Sequence, residues 1–111
     1  MDYSIDRQGN AVVVAVRGRV DESSWVAFGV GLSEAIEQAG QAKLGKVVID
    51  LAGMDYMSSR GLRVLTVAKR EGQDAGVEVA LASPNDVMRE ILAISRYDKL
   101  FAITDTVDAA A

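Results

Sequence analysis

The chain has 111 residues, half of them hydrophobic, with 12 Lys and Arg against 16 Asp and Glu, and its formal net charge is −4. It contains no His and no Cys, so disulfides, thiol nucleophiles and the usual zinc sites are excluded, as is the side chain best suited to proton transfer near neutral pH. Because long-range attraction to phosphate backbones and anionic lipids needs clustered Lys and Arg, we expect neither nucleic acid nor a membrane as a partner.

The length and apolar content predict one α/β domain that spans residues 1–111. The segment Met1–Asp6 lacks the basic end and apolar centre of a signal peptide. No apolar run approaches the roughly 18 residues that a membrane-spanning helix needs. We therefore expect a cytoplasmic protein.

The first part of the chain predicts a β-hairpin. Apolar residues alternate with polar ones around Tyr3 and Ile5, and Gly9-Asn10 is a turn signal. Residues 11–16 are continuously apolar and rich in Val, which is typical of a strand covered on both faces. Gly18 is expected to end this strand.

The segment after Asp21 predicts an amphipathic helix. Its apolar residues recur at spacings of three and four, at Trp25, Phe28, Leu32 and Ile36. Gly29 and Gly31 each disfavour a helix by roughly 1 kcal/mol relative to Ala. Either tertiary packing holds this segment or a partner approaches it closely.

Two further pairs of strand and helix follow. Residues 47–51 predict a strand that leads through a loop into a helix with Leu62, Leu65 and Ala68 on one face. Residues 77–81 predict another strand. This alternation of strands and helices, after the hairpin, predicts an α/β layer architecture with right-handed crossovers.

The third helix has a clear start signal. In Ser83-Pro84-Asn85-Asp86, we interpret Ser83 as the N-cap, Pro84 as a first-turn residue and Asp86 as the acidic residue three positions after the cap. The helical spacing predicts that Val87, Ile91 and Ile94 face the core. Residues 100–103 are expected to be extended, and the alanine-rich tail after them to fray.

The most informative segment is residues 50–65, where two serines, Ser58 and Ser59, stand at the start of a helix. A hydroxyl at this place accepts hydrogen bonds from the free N–H groups of the first turn, which predicts an N-cap worth ~1 kcal/mol. A phosphate on the same hydroxyl would also meet those N–H groups and the positive end of the helix dipole. The two interpretations are a structural cap and a phosphorylation site that controls partner binding.

In this segment the chain resembles the STAS domain family, and within it the bacterial anti-sigma factor antagonists. The resemblance rests on Asp50-Leu51 at a strand end, Ser59-Arg60-Gly61-Leu62, the family's Gly-x-x-Asp pattern in Arg17-Gly18-Arg19-Val20-Asp21, and residues 83–92 and 97–101. It implies a mixed, mostly parallel β-sheet with an N-terminal hairpin and helices mainly on one face. It also implies a serine protein kinase that acts as the anti-sigma factor, release by phosphorylation, and a serine phosphatase that resets the cycle.

The resemblance places Ser59 at the phosphoacceptor position of the family turn Asp-Ser-Ser/Ala-Gly-Leu. This chain has Ser58 in place of the aspartate and Arg60 before Gly61. Ser58 is therefore either a second acceptor or the N-cap that positions Ser59. Arg60 supplies a cation that could steady a phosphate.

The expected partner-binding surface consists of Asp21, Ser58, Ser59, Arg60, Gly61 and Arg63. From the residues alone, Asp21 is better explained as a helix-start carboxylate stabilised by the helix dipole. It is the resemblance that places Asp21 near the serine turn and so on this surface. Arg63 faces away from the apolar stripe of its helix, as an ordinary solvated charge also would. Trp25 and Phe28 have the spacing of core residues, although exposed aromatic side chains would indicate an interface.

We do not expect an enzyme. The sequence has no nucleophile paired with a base, no metal-ligand cluster and no glycine-rich nucleotide loop, and the resemblance implies no cofactor. The alternative function is that of a STAS subunit in a transport or other regulatory complex, similar to those that accompany lipid-transport ATPases and use this surface without phosphorylation.

Overall fold

A mixed sheet of six strands forms the centre of the protein, and the computed structural model describes residues 1–111. The predicted α/β fold is confirmed. The elements, in chain order, are β1 (Asp2–Gln8), β2 (Ala11–Val20), α1 (Trp25–Gln41), β3 (Lys46–Asp50), β4 (Met54–Met57), α2 (Ser59–Ala75), β5 (Glu78–Ala82), α3 (Asp86–Ile94), a 3-10 helix (Tyr97–Lys99), β6 (Ile103–Thr104) and α4 (Val107–Ala110).

The strand order explains how the ends of separate segments meet. Strands β1 and β2 form the predicted hairpin, antiparallel from Asp2↔Arg17 to Gln8↔Ala11. Strands β2, β3, β5 and β6 are parallel neighbours in that order. The strand β2 does not end at Gly18 as expected: its register shifts between Gly18 and Arg19, and it continues to pair with β4. This irregularity turns the end of β2 from β3 toward β4.

The larger part of the core lies between the sheet and helices α1, α2 and α3. Phe28, Leu32 and Ile36 of α1 and Leu65 of α2 are buried there against the strands. Gly31 lets the Tyr3 ring pack against α1, since a Cβ at this position would lie 3.1 Å from three ring atoms. Tertiary packing therefore accounts for one of the two glycines that disfavour this helix.

The opposite face of the sheet is covered by α4. A small buried cluster there contains Val13 and Val48 together with Ala110, so the continuous apolar run in β2 is covered on both faces, as its sequence predicts. The expectation that the tail frays is wrong. Thr106 caps α4 by accepting a hydrogen bond from the Ala109 N–H (3.1 Å), and the Lys46 ammonium donates to the Ala110 carbonyl (2.7 Å).

Strand β4 was not predicted from the sequence. Its residues, Met54–Met57, contain the acidic Asp55 and no β-branched side chain, so the pattern typical of a strand is missing. The strand forms because the end of β2 leaves hydrogen-bonding groups free beside it, and these pair with Met54, Tyr56 and Met57.

The predicted start of α3 is wrong, and its predicted buried face is wrong for Val87 and Ile94 but right for Ile91, which is partly buried against the core. The N-cap is Asn85, whose side chain accepts a hydrogen bond from the Met88 N–H (2.9 Å), whereas Ser83 has a left-handed φ of 58°. The buried residues of α3 are Met88 and Leu92. Val87 and Ile94, which were expected in the core, are 51% and 76% exposed.

The observed start and buried face of α3 depend on a contact with β4 that the sequence pattern does not reveal. The Asn85 amide donates to the Met54 carbonyl of β4 (2.8 Å), which anchors the start of α3 beside β4 and turns Met88 inward. The segment expected to be extended at residues 100–103 contributes only Ile103 to the short strand β6. None of the helices combines the length and the apolar character of a membrane-spanning segment.

Candidate partner-binding site

The ends of β2 and β4 bring Asp21 and the serine turn together. The two strands are parallel neighbours with Val20 opposite Met57, and the Ser58 N–H donates to the Val20 carbonyl (2.8 Å). Asp21 follows one of these strand ends directly, and Ser58 follows the other. Residues at the carboxyl ends of neighbouring parallel strands commonly form binding sites. Because β2 and β4 are paired up to these ends, Asp21 lies near the serine turn, as the resemblance implies.

Ser58 is the N-cap of α2. Its backbone is extended (φ −77°, ψ 174°), and its side-chain oxygen accepts a hydrogen bond from the Gly61 N–H at 3.4 Å. Of the two interpretations left open for Ser58, the structure shows the cap. Ser59 is the first residue of α2, and its side chain is exposed. The first turn of α2 contains no acidic residue, so the positive end of the helix dipole faces solvent without a nearby carboxylate of its own.

Gly61 is buried, and it permits the close packing of the serine turn on the sheet. A Cβ at this position would collide with the Met57 Cγ atom and lie 2.8 Å from the Val20 Cγ1 atom. The absence of a side chain therefore lets the first turn of α2 lie directly against the ends of β2 and β4. This packing holds Ser59 close to the sheet edge that carries Asp21.

Asp21 is held in one orientation by the turn that precedes α1. One carboxylate oxygen accepts hydrogen bonds from the Ser23 hydroxyl (2.8 Å) and the Ser23 N–H (3.0 Å). The buried Ser24 hydroxyl accepts from the Asp21 N–H (3.0 Å) and donates to the Arg19 carbonyl (2.8 Å). The hydrogen bond from the Ser23 hydroxyl, followed by that from the Ser23 N–H, lowers the pKa of Asp21. The site thus contains a fixed negative charge.

Asp21 is not a first-turn residue of α1, because that helix begins at Trp25 after the N-cap Ser24. Its carboxylate stabilises the turn 21–24 instead of the helix dipole. The Arg19 guanidinium lies 4.6 Å from the centre of the Tyr56 ring and 3.9 Å from the second oxygen of Asp21. The surroundings of Asp21 are therefore built from β2, β4 and the turn before α1.

Arg60 contacts the start of α1 and not the serine turn. Its guanidinium lies 3.2 Å from the Glu22 carboxylate and 5.2 Å from the centre of the Trp25 ring. Trp25 is half-buried, whereas Phe28 is fully buried in the core. The two aromatic residues, which the sequence could not separate, therefore differ: only Trp25 reaches the surface.

Arg63 is exposed, as its spacing predicts, and together with Ser59 and Arg60 it lies along a groove between α1 and α2. This groove was not predicted from the sequence. A usable signal was present, because Val26 and Val30 form a second apolar stripe on α1, at i and i+4, beside the stripe that enters the core. No group of three or more acidic residues with a geometry for metal binding occurs in the structure.

Comparison with known proteins agrees with this fold. The chain is 24% identical over 111 residues, the whole of this chain and 92% of the relative, to BtrV of Bordetella bronchiseptica, which is named as a candidate anti-sigma factor antagonist. It is 26% identical over 96 residues to a STAS-domain containing protein of Pseudomonas aeruginosa, a match of 86% of this chain and 90% of the relative.

Solved structures match over nearly the whole chain. A candidate anti-sigma factor antagonist from Thermotoga maritima superposes with a TM-score of 0.83 at 17% identity, over 97% of this chain and 90% of the other. The Bacillus anti-sigma factor antagonist SpoIIAA superposes at 18% identity in its unphosphorylated form (TM-score 0.77, 98% and 92% of the two chains) and its phosphorylated form (0.69, 98% and 96%). The STAS domain model matches residues 2–110, and this chain therefore belongs to the STAS domain family.

Proposed function

We propose that this protein is an anti-sigma factor antagonist whose binding is controlled by phosphorylation of Ser59. The partner is a cytoplasmic serine protein kinase that also acts as the anti-sigma factor. Phosphorylation releases this protein from the kinase, and a serine phosphatase restores the binding form. The observation that carries the proposal is the exposed Ser59 at the first position of α2, in a turn that follows β4 where β4 pairs with the end of β2, the strand that leads into Asp21.

The geometry favours Ser59 over Ser58 as the acceptor. The Ser58 oxygen is engaged in the cap of α2, and the residue is only partly exposed. A phosphate on Ser58 would replace this cap and disturb the helix start. Ser59 is exposed, so a kinase reaches its hydroxyl without unfolding the turn, and Ser58 and Gly61 keep their structural roles.

The expected effect of the phosphate is on binding and not on folding. Phosphorylation adds roughly −1.5 to −2 charges at neutral pH. At Ser59 this charge lies at the N-terminus of a helix whose first turn has no acidic residue, where free N–H groups and the helix dipole favour an anion. The fold therefore tolerates the modification, while a partner surface that fits the neutral turn loses affinity through repulsion and desolvation.

The relatives support the regulatory class. BtrV, the Thermotoga maritima protein and SpoIIAA are all named as anti-sigma factor antagonists, the first two as candidates, and SpoIIAA has been solved in both an unphosphorylated and a phosphorylated form. STAS antagonists are generally regulators and not enzymes. We extend the antagonist function, the kinase partner and the phosphatase to this chain as parts of the same proposal.

The test is intact-mass and tandem mass spectrometry after incubation with ATP and each candidate serine kinase of the same organism. The wild type, Ser58→Ala and Ser59→Ala are compared, and Ser4→Ala, an exposed serine of β1 far from the turn in sequence, is the control. We expect one phosphate on the wild type, Ser58→Ala and Ser4→Ala, and none on Ser59→Ala.

Two results would contradict the proposal in different ways. A phosphate that persists on Ser59→Ala but is lost from Ser58→Ala would move the acceptor by one residue. The absence of phosphate with every candidate kinase, together with stable binding to one of them, would favour the constitutive STAS subunit.

A further inference from the structure

A groove runs along the outer surface of α1 and α2, and it begins at the serine turn. The two helices lie side by side in the same direction: Arg60 of α2 contacts Trp25 at the start of α1, and the Ser33 hydroxyl donates to Glu71 (2.9 Å) farther along both helices. Ser59 is among the residues at the edge of the groove. Anything bound in the groove therefore lies next to the proposed phosphorylation site.

The groove is lined by apolar side chains that are exposed or only partly buried. Val26 and Val30 of α1 and Val67 of α2 are 58%, 56% and 59% exposed, and Val64 and Trp25 are half-buried between them. Single exposed valines are ordinary on protein surfaces, but a contiguous apolar groove with a polar edge is typical of an interaction site. A groove between two helices is well suited to receive the apolar face of a third.

The charges at the two ends of the groove have opposite sign. Arg60 and Arg63 lie near Ser59, whereas Glu34, Glu37 and Glu71 lie toward the other end. Arg60 is paired with Glu22, but neither Arg63 nor any of these glutamates belongs to the ion pairs of the protein. Glu34 and Glu71 accept hydrogen bonds only from neutral hydroxyls. The groove thus presents unpaired charge of both signs.

We propose that this groove binds an amphipathic helix of the partner protein, with acidic residues at the end near Arg60 and Arg63 and basic residues at the end near Glu34, Glu37 and Glu71. From Ser59 to Glu71, α2 rises about 18 Å, which corresponds to a partner helix of roughly three to four turns. The apolar face provides burial, and the end charges determine orientation.

This arrangement gives phosphorylation a direct electrostatic effect on the partner, a step that rests on the proposed function. A phosphate on Ser59 adds negative charge at the arginine end of the groove. It competes with the acidic end of the bound helix for Arg60 and Arg63, and it repels that end. This electrostatic change releases the helix. The apolar lining of the groove and the fold of this protein stay the same.

The probes are two fluorescein-labelled peptides of 16 residues with the same apolar stripe and the same composition. One carries its acidic residues at one end and its basic residues at the other, and the second has the two kinds interspersed evenly. Fluorescence anisotropy measures their binding to the whole protein. We expect the polarised peptide to bind roughly fivefold tighter, and Arg63→Glu to abolish this difference.

The apolar contacts are tested by Val67→Asp, with Val87→Asp as a matched control, since Val87 is a similarly exposed valine on α3 (51% against 59% for Val67), outside the groove. We expect Val67→Asp to weaken the polarised peptide by about tenfold or more, and Val87→Asp to leave its affinity unchanged. Thermal unfolding of both variants verifies that they remain folded.

Equal affinities of the two peptides, equal losses in the two valine variants, or no binding of either peptide would each overturn the groove proposal. Phosphorylation is followed separately by mass spectrometry on the same samples. Ser59 phosphorylated without loss of peptide affinity would refute the groove mechanism and leave the switch intact. Specific peptide binding by a protein that no kinase modifies would instead support the groove and refute the switch.

Discussion

The starts of α2 and α3 have almost the same backbone but different chemistry. Ser58 and Asn85 are both extended N-caps, with φ and ψ of −77° and 174° and of −75° and 178°. Both side chains accept a hydrogen bond from the N–H group three residues later. The α3 start has Asp86 in its first turn, whereas the α2 start has no acidic residue there and exposes Ser59.

This difference separates a helix start that has its own acidic residue from one that has none. At α3 the Asn85 amide also bonds the Met54 carbonyl (2.8 Å), and Asp86 balances the helix dipole. At α2 the cap is longer, at 3.4 Å, and the dipole is unbalanced. An added anion therefore has a favourable place at α2 and not at α3.

The largest expected effect concerns the third position of each helix, which is Gly61 in α2 and the buried Met88 in α3. Gly61→Ala places a Cβ against Met57 and 2.8 Å from the Val20 Cγ1 atom, and we expect it to lower the free energy of unfolding by about 2 to 3 kcal/mol. Urea denaturation measures this. Gly40→Ala in α1, where a Cβ meets no atom within 4 Å, is the control and should be neutral or stabilising by up to about 1 kcal/mol. Equal effects of the two would contradict the packing role of Gly61.

Asn85→Ala tests the anchored start of α3. The variant removes the cap and leaves the Met54 carbonyl without its donor, so we expect the free energy of unfolding to fall by about 2 kcal/mol. Asn85→Asp keeps the capping oxygen but not the donor, and it should lose less. Thermal and urea unfolding give both values. If Asn85→Asp were as damaging as Asn85→Ala, the contact with Met54 and not the cap would account for the stability.

Removing the N-cap of α2 should lower the free energy of unfolding by less than removing the N-cap of α3. Ser58→Ala removes only a long cap hydrogen bond, and we expect a loss of about 1 kcal/mol. Ser59→Ala should change the free energy of unfolding by less than about 0.5 kcal/mol, as is usual for exposed sites without a special contact. Differential scanning calorimetry of the two variants checks this order. A larger loss for Ser59→Ala would mean that Ser59 itself supports the fold.

The smallest expected effect is the pH dependence of folding stability that Asp21 causes. Hydrogen bonds from the Ser23 hydroxyl and N–H hold the pKa of Asp21 below its usual value. The ionised group therefore stabilises the folded state at pH values above the unfolded pKa of about 3.9, and this stabilisation is lost as the pH falls through the lower folded pKa. Asp21→Asn should lower Tm at pH 7. The difference in Tm between this variant and the wild type should shrink as the solution is acidified toward about pH 2.5. The same series with Asp6→Asn, on the exposed strand β1, is the control, and a difference that stays constant with pH would refute the assignment.

Much of the candidate site could be predicted, because its residues are close in sequence and belong to a recognisable turn. Ser58, Ser59, Arg60 and Gly61 lie within one strand-to-helix connection, and the hydroxyls, the glycine and the helix start can all be seen locally. Only Asp21 comes from a distant segment, and the resemblance to the STAS family placed it near the turn. The groove between α1 and α2 was missed because its charges and valines come from two helices whose relative position no local pattern contains.

The sequence by itself determined the hairpin, the α/β fold and the order of its main elements, namely β1, β2, α1, β3, α2, β5 and α3, because turn residues and hydrophobic period act over short distances. It could not determine which of two apolar stripes of α3 is buried. Val87 and Ile94 compete there with Met88 and Leu92, and the anchor between Asn85 and β4 decides in favour of the latter pair. The existence of β4 is likewise a tertiary result, since a short strand with little intrinsic preference forms only where the end of β2 offers it hydrogen bonds.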